Sequence, residues 1–237
     1  MPMASSVPVF RSTKETTNYA RLCRLLVDVG SQVLRPKFDS ICPPATLNSY
    51  LSSPAVQTTL RTLKARRVLN PSQWDKLYPP VGTVSVSSRD FDITLLMVLL
   101  RNICGLTTPA SGWDCLPPAT DLTPEADIAR IKWYRNTVYG HASHASVDDA
   151  TFASCWTDIK ATLVRLGGAT YGPAIDLLEN AGMDPVIEEH YKNLLKQWKV
   201  DEHIKDALSE MVEKLDELKA ALAQPAEKST LSENGKL

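Results

Sequence analysis

Several things are scarce in this sequence. Of 237 residues only ten are glycine and four phenylalanine, and the five cysteines (Cys23, Cys42, Cys104, Cys115, Cys155) are odd in number and never close together along the chain. That pattern argues against a disulfide framework and against a zinc site, and it fits a reducing compartment. Long apolar runs are missing too. The longest, ITLLMVLL at 93–100, is far short of the roughly 20 residues that span a bilayer. The opening MPMASSVPVF has neither the basic flank nor the apolar core of a secretory signal. We expect a soluble, cytoplasmic protein with no membrane partner. Charge of one sign is also lacking: the formal net charge is −1. A general nucleic-acid binder is usually strongly basic, so any RNA contact must be local. The densest basic cluster is Arg61, Lys64, Arg66 and Arg67.

What is present is helical periodicity. Tyr19, Leu22, Leu26, Val29 and Val33 step by three and four, and Arg35-Pro36 is expected to end or kink that helix. Ser53-Pro54 and Asn70-Pro71 read as helix starts, with Val56, Leu60 and Leu63 on the first stripe, and Tyr78-Pro79-Pro80 as a stop. VGTVSVSS at 81–88 alternates like a strand, but a lone strand has no pairing partner, so an extended loop is expected. An apolar helix from about Asp90 carries Ile93, Leu96, Leu100 and Ile103 and exits near Gly105. The turn-rich 107–124 segment is a long connection anchored by Trp113.

Thr123-Pro124-Glu125 combines a hydroxyl cap, a proline and an acid, a strong helix start. Ser146 to Asp149 resembles a capping box, opening a helix with Phe152, Trp156, Ile159, Leu163 and Leu166 on its stripe and Gly167-Gly168 at its end. A short helix is expected over 174–180. The run from Pro185 to Gln224 is the longest, and Ile204, Leu208, Met211, Leu215, Leu218 and Leu222 form a heptad seam. About three heptads are marginal alone, so the seam either self-associates or folds back. The expected organisation is a flexible 1–14, a helical domain at 15–200, a heptad helix at 201–224 and a disordered tail at 225–237. The fold class is all-α.

One stretch departs from ordinary helical protein, WYRNTVYGHASH at 133–144. The three-four stepping of Ile128 and Ile131 places Arg135 on the buried stripe before Val138. A guanidinium stays charged, so Arg135 must snorkel, pair with a carboxylate such as Asp148 or Asp149, or face a cleft. Six residues further would be about 240° around an unbroken helix, the wrong face. Gly140 is a natural exit that makes Tyr139 nearly the last helical residue and lets the chain swing His141 back toward Arg135. The bland alternative for His141 is a capping or surface histidine, and His144 reads as a loop residue. A nucleotide-binding reading has no support, because Gly167-Gly168 ends a helix where a phosphate loop precedes one.

Arg135-Asn136-Thr137-Val138-Tyr139-Gly140-His141 resembles the R-x(4–6)-H signature of HEPN domains. NYARLCRLLVDVGSQVLRPKFDSICPP, ARRVLNPSQWDKLYPP, DFDITLLMVLLRNICGL, SGWDCLPPATD, IARIKWYRNTVYGH and DDATFASCWTDI extend the resemblance over roughly 15–200. The likeness is to the HEPN subfamily of a DAZ-interacting, RNA-binding RING ubiquitin ligase. It implies an all-helical bundle, here followed by the long C-terminal helix with its short coiled-coil seam. For active members it implies a metal-independent endoribonuclease whose composite site forms across a homodimer. His141 is then the general acid/base, Arg135 stabilises charge on the scissile phosphate, and Asn136 orients the same groups. No cofactor and no metal ligand are implied, and the sequence holds no RING zinc-ligand set. Single-stranded RNA is the implied ligand, with a homodimer and protein partners at the C-terminal helix. The competing reading is a non-catalytic adaptor or dimerisation module in a signalling or innate-defence assembly.

Overall fold

The computed structural model describes residues 13–80, 85–140, 145–184, 186–191, 193, 194 and 214. Among them no strand occurs, and the fold is all-α. Helix α1 (Lys14–Arg24) runs through a π turn (Leu25–Val29) into α2 (Gly30–Ile41). Thr13 and Thr16 cap α1 reciprocally, each side chain bonding the other's backbone N–H. Three short helices follow, α3 (Leu47–Leu51), α4 (Pro54–Ala65) and α5 (Pro71–Leu77). After a 3₁₀ turn (Ser88–Asp90) come α6 (Ile93–Ile103), α7 (Pro124–Gly140), α8 (Asp149–Gly167) and α9 (Tyr171–Asn180).

The core lies between α1, α2, α6, α7 and α8. Leu22, Leu25, Leu34 and Phe38 meet Leu95, Leu96 and Leu99 of α6, Ile128 and Ile131 of α7, and Trp156, Ile159 and Leu163 of α8. Each such side chain contributes about 1.5–3 kcal/mol of transfer free energy, which is what holds so many helices to one centre. Helix α6 is the most enclosed, with every residue from Leu95 to Leu100 buried. A helix apolar all round is sequestered by its neighbours, here α2 on one side and α4 on another.

Two local expectations are corrected, and at a third point, Arg35-Pro36, where an end or a kink is expected, the helix does not end but continues to Ile41. Proline lacks the N–H that would bond the Gln32 carbonyl, and the Tyr171 hydroxyl donates to that oxygen instead, at 3.2 Å. Arg35 meanwhile donates to the carbonyls of Ser88 and Phe91, pinning the loop ahead of α6 to α2. The cap of α8 is Asp148, which accepts from the Thr151 N–H at 2.9 Å and leaves Asp149 free to bond Lys14 and Asn18. Helix α9 starts at Tyr171, ahead of the expected 174. The cysteines, dispersed in sequence, do not all stay apart: the Sγ atoms of Cys42 and Cys104 lie 3.8 Å from each other where α2 and α6 end.

Several expectations match closely. Asn70 caps α5 in a reciprocal box with Gln73, Pro54 opens α4, and Gly105 (φ +65°) and Gly168 (φ +97°) follow the ends of α6 and α8 in left-handed conformations. Residues 85–87 have no regular structure. The heptad stripe from Ile204 to Leu222 lies outside the described residues, as does almost all of the expected N-terminal segment and the whole C-terminal tail.

Candidate active site around Arg135

Helix α7 is set at its start by Thr123, whose hydroxyl accepts from the Ala126 N–H at 3.3 Å and donates to Asp121 at 2.7 Å. From Ala126 to Ile131 every residue is buried, Asp127 and Arg130 included. Asp127 accepts from Arg130 and from Arg165 of α8, each at 2.6 Å, so its charge is compensated. The same Arg130 guanidinium donates to the carbonyls of Pro118 and Asp121 at 2.6 Å. That clasp, more than the half-buried Trp113, orders the proline-rich connection before α7.

One turn beyond this network stands Arg135, only 7% exposed. Its Nη1 donates to Asn136 Oδ1 at 3.3 Å, so two of the three expected site residues touch. The expected carboxylate partners are engaged elsewhere, Asp148 in capping α8 and Asp149 with Lys14 and Asn18. Helix α7 runs one residue past the expected Tyr139, to Gly140. His141 and His144 lie outside the described residues. Tyr134, next to Arg135, is engaged with α8: its hydroxyl donates to Asp158 at 2.7 Å, and burial together with that carboxylate pushes the phenol well up.

A residue that sequence reasoning did not single out completes the arrangement. Arg101 of α6 donates through Nε to the Met97 carbonyl at 3.1 Å. Burial pulls its pKa down; Asp114 opposes this, and the positive charge of Arg135 adds to it. The charges of Arg135 and Asp114 thus act on Arg101 in opposite senses, and Lys132 is paired to that aspartate. The signal was available: Arg101 sits two turns after Ile93 and one after Met97, on the face of an otherwise apolar helix. Its relation to Arg135 was not, because it depends on how α6 and α7 pack.

Chemically the cluster suits a phosphate, since a guanidinium offers a planar fork of N–H donors that keeps its charge in a low-dielectric setting. Among the described residues no set of three or more His, Cys, Asp or Glu side chains is placed to hold a metal ion. None of their helices is long and apolar enough to cross a membrane.

The family model for DZIP3/hRUL138-like HEPN domains matches residues 44–191. The chain belongs to this HEPN family. It is 29% identical over 163 residues to the E3 ubiquitin-protein ligase DZIP3 of Mus musculus, and 27% identical over the same length to that of Homo sapiens. Those matches cover 68% of this chain and 13% of each ligase, so the chain spans a small part of the curated relatives it resembles. No solved structure matches the chain. In this HEPN domain the Arg135-Asn136 pair thus lies near the end of α7, with Arg135 buried in the bundle.

Proposed function

We propose that this HEPN domain acts on single-stranded RNA, as a metal-independent endoribonuclease built from two copies of the chain. The observation that carries the reading is the contact of the buried Arg135 with Asn136, two residues of the motif held together near the end of α7. The charge of Arg135 also bears on Arg101 of α6, and a bound phosphate would attract both guanidiniums. In the reaction His141 takes the proton of a ribose 2′-hydroxyl, and the 2′-oxygen forms a bond to phosphorus. The bond from phosphorus to the 5′-oxygen breaks, and a protonated His141 from the second copy returns a proton to that oxygen. Arg135 stabilises the extra negative charge on the phosphorane-like transition state, and Asn136, within 3.3 Å of it, holds the guanidinium toward the non-bridging oxygens.

The deciding experiment is cleavage of a labelled mixed-sequence RNA in EDTA by the wild type, Arg135→Ala and His141→Ala. Cutting that resists the chelator and falls by at least about 100-fold in each variant, with unchanged circular dichroism, is the expected result. Cutting retained in either variant removes that residue from the mechanism.

A second reading has its own observation. Arg101 is tied to the Met97 carbonyl, and Lys132 to Asp114, so part of the cluster is satisfied within one chain. On that reading the domain is a non-catalytic adaptor that dimerises and recruits partners through its C-terminal heptad segment. Absence of cutting at high protein concentration, with a dimeric mass in sedimentation, decides for it.

A further inference from the structure

At the far end of α4, four cations occupy seven consecutive positions: Arg61, Lys64, Arg66 and Arg67. All four are exposed. Among the described residues none of them forms an ion pair with a carboxylate; Arg61 bonds only the neutral amide of Gln57. For a chain of net charge −1 this is a strongly uneven surface. The turn that bunches these charges is unusual, because Arg67 has a φ of +56°, a left-handed conformation that a long side chain seldom adopts. It reverses the chain directly after α4 and presents Arg66 and Arg67 beside the helix end.

Two aromatic rings adjoin the cations. Trp74 and Tyr78 are one turn apart on α5 and its end, with centroids 4.6 Å apart and a tilt of 37°. The Lys64 ammonium lies over the Trp74 ring, 4.1 Å from its centroid. Arg61 acts on Tyr78 in turn, its charge opposing the upward push that burial gives the phenol. Neither ring is fully buried. Cations in a row beside a close aromatic pair are what a single-stranded nucleic acid recognises: phosphates on the charges, an unstacked base on the ring.

We propose that Arg61, Lys64, Arg66 and Arg67 bind the phosphates of single-stranded RNA, and that Trp74 stacks a base once Lys64 swings from its face to a phosphate. The surface is separate in sequence and in elements from the Arg135 site on α7. It rests on the RNA reading above and deepens it, supplying the docking platform that the overall charge does not.

The test is binding, kept apart from cleavage. A short fluorescein-labelled oligouridylate is titrated in EDTA against the full chain carrying His141→Ala, so that the probe stays intact, over a series of salt concentrations. Single strands lose affinity with a log–log slope of about −0.7 per phosphate neutralised, so four contacts give about −2.8. The Arg66→Gln/Arg67→Gln variant is expected to halve that slope to about −1.4. Trp74→Leu is expected to weaken binding roughly 5- to 100-fold with the slope unchanged, the stacking of one base. An unchanged slope in the double arginine variant overturns the proposal, and so does equal affinity for a duplex of the same length. Binding to phosphatidylserine vesicles without binding to RNA also overturns it. If Trp74→Leu fails to fold, the exposed arginine pair still decides. Slope-sensitive binding without any cleavage by the wild type leaves this surface standing and removes only the nuclease.

Discussion

Asp127 shows what a single buried charge does in this domain. It is 1% exposed and receives both Arg130 and Arg165, while Arg130 also closes on the Pro118 and Asp121 carbonyls. Replacing the carboxylate leaves Arg130 buried without its counter-charge. Asp127→Ala is expected to lower unfolding stability by about 3 kcal/mol, read as a shifted urea midpoint, because Arg165 still reaches water. Arg135 was legible from its place on the α7 stripe, and Asn136 only through the resemblance to the HEPN motif. Arg101 was visible only as an odd cation on an apolar helix, and the Asp127 network was not visible at all. A charge within a helical stripe announces that it needs a partner, without saying which.

The elements themselves are joined by polar contacts at their ends. Asp148 caps α8, and Asp149 ties its first turn to α1 through Lys14 and Asn18, while the Val147 N–H bonds the Glu15 carbonyl. The Thr151 hydroxyl holds the Asp148 carboxyl below its ordinary pKa, and Lys14 does the same for Asp149. A carboxyl lowered in the fold stabilises it fully above the unfolded value, near 4, and loses that contribution as pH falls through the folded value. Urea midpoints at neutral and at acid pH are therefore expected to differ less for Asp149→Asn than for the wild type. An equal acid loss in both removes this junction from the cause. Helix α2 teaches a second point at this scale. Arg35-Pro36 predicts an end or a kink, and no end follows: a distant hydroxyl, that of Tyr171, bonds the freed Gln32 carbonyl, and packing of Leu34 and Phe38 carries the helix onward. Tyr171 also limits what can follow: a Cβ on Gly167 would fall 2.8 Å from its ring and 2.8 Å from Val33.

At the scale of the whole molecule, the residues after α9 belong to the body. Residues 186–191 are helical, Glu188 is buried, and the hydroxyl of the buried Tyr191 donates to Asp28 in the π turn at 2.6 Å. The family match ends at this same tyrosine. Tyr191→Phe keeps the ring and removes the hydrogen bond, so a loss of about 1 kcal/mol is expected in chemical denaturation. A neutral result would mean that the ring alone fastens this segment. The sequence by itself determined the all-α class, most helix starts and stops, and the HEPN motif, because caps, prolines, glycines and stripes act over three or four residues. Only the tertiary structure decided that Cys42 meets Cys104, that Arg130 clasps the proline-rich connection and that Lys64 covers Trp74. Each of those pairings follows from helices closing on a shared core, a non-directional force that leaves no local mark on the residues it brings together.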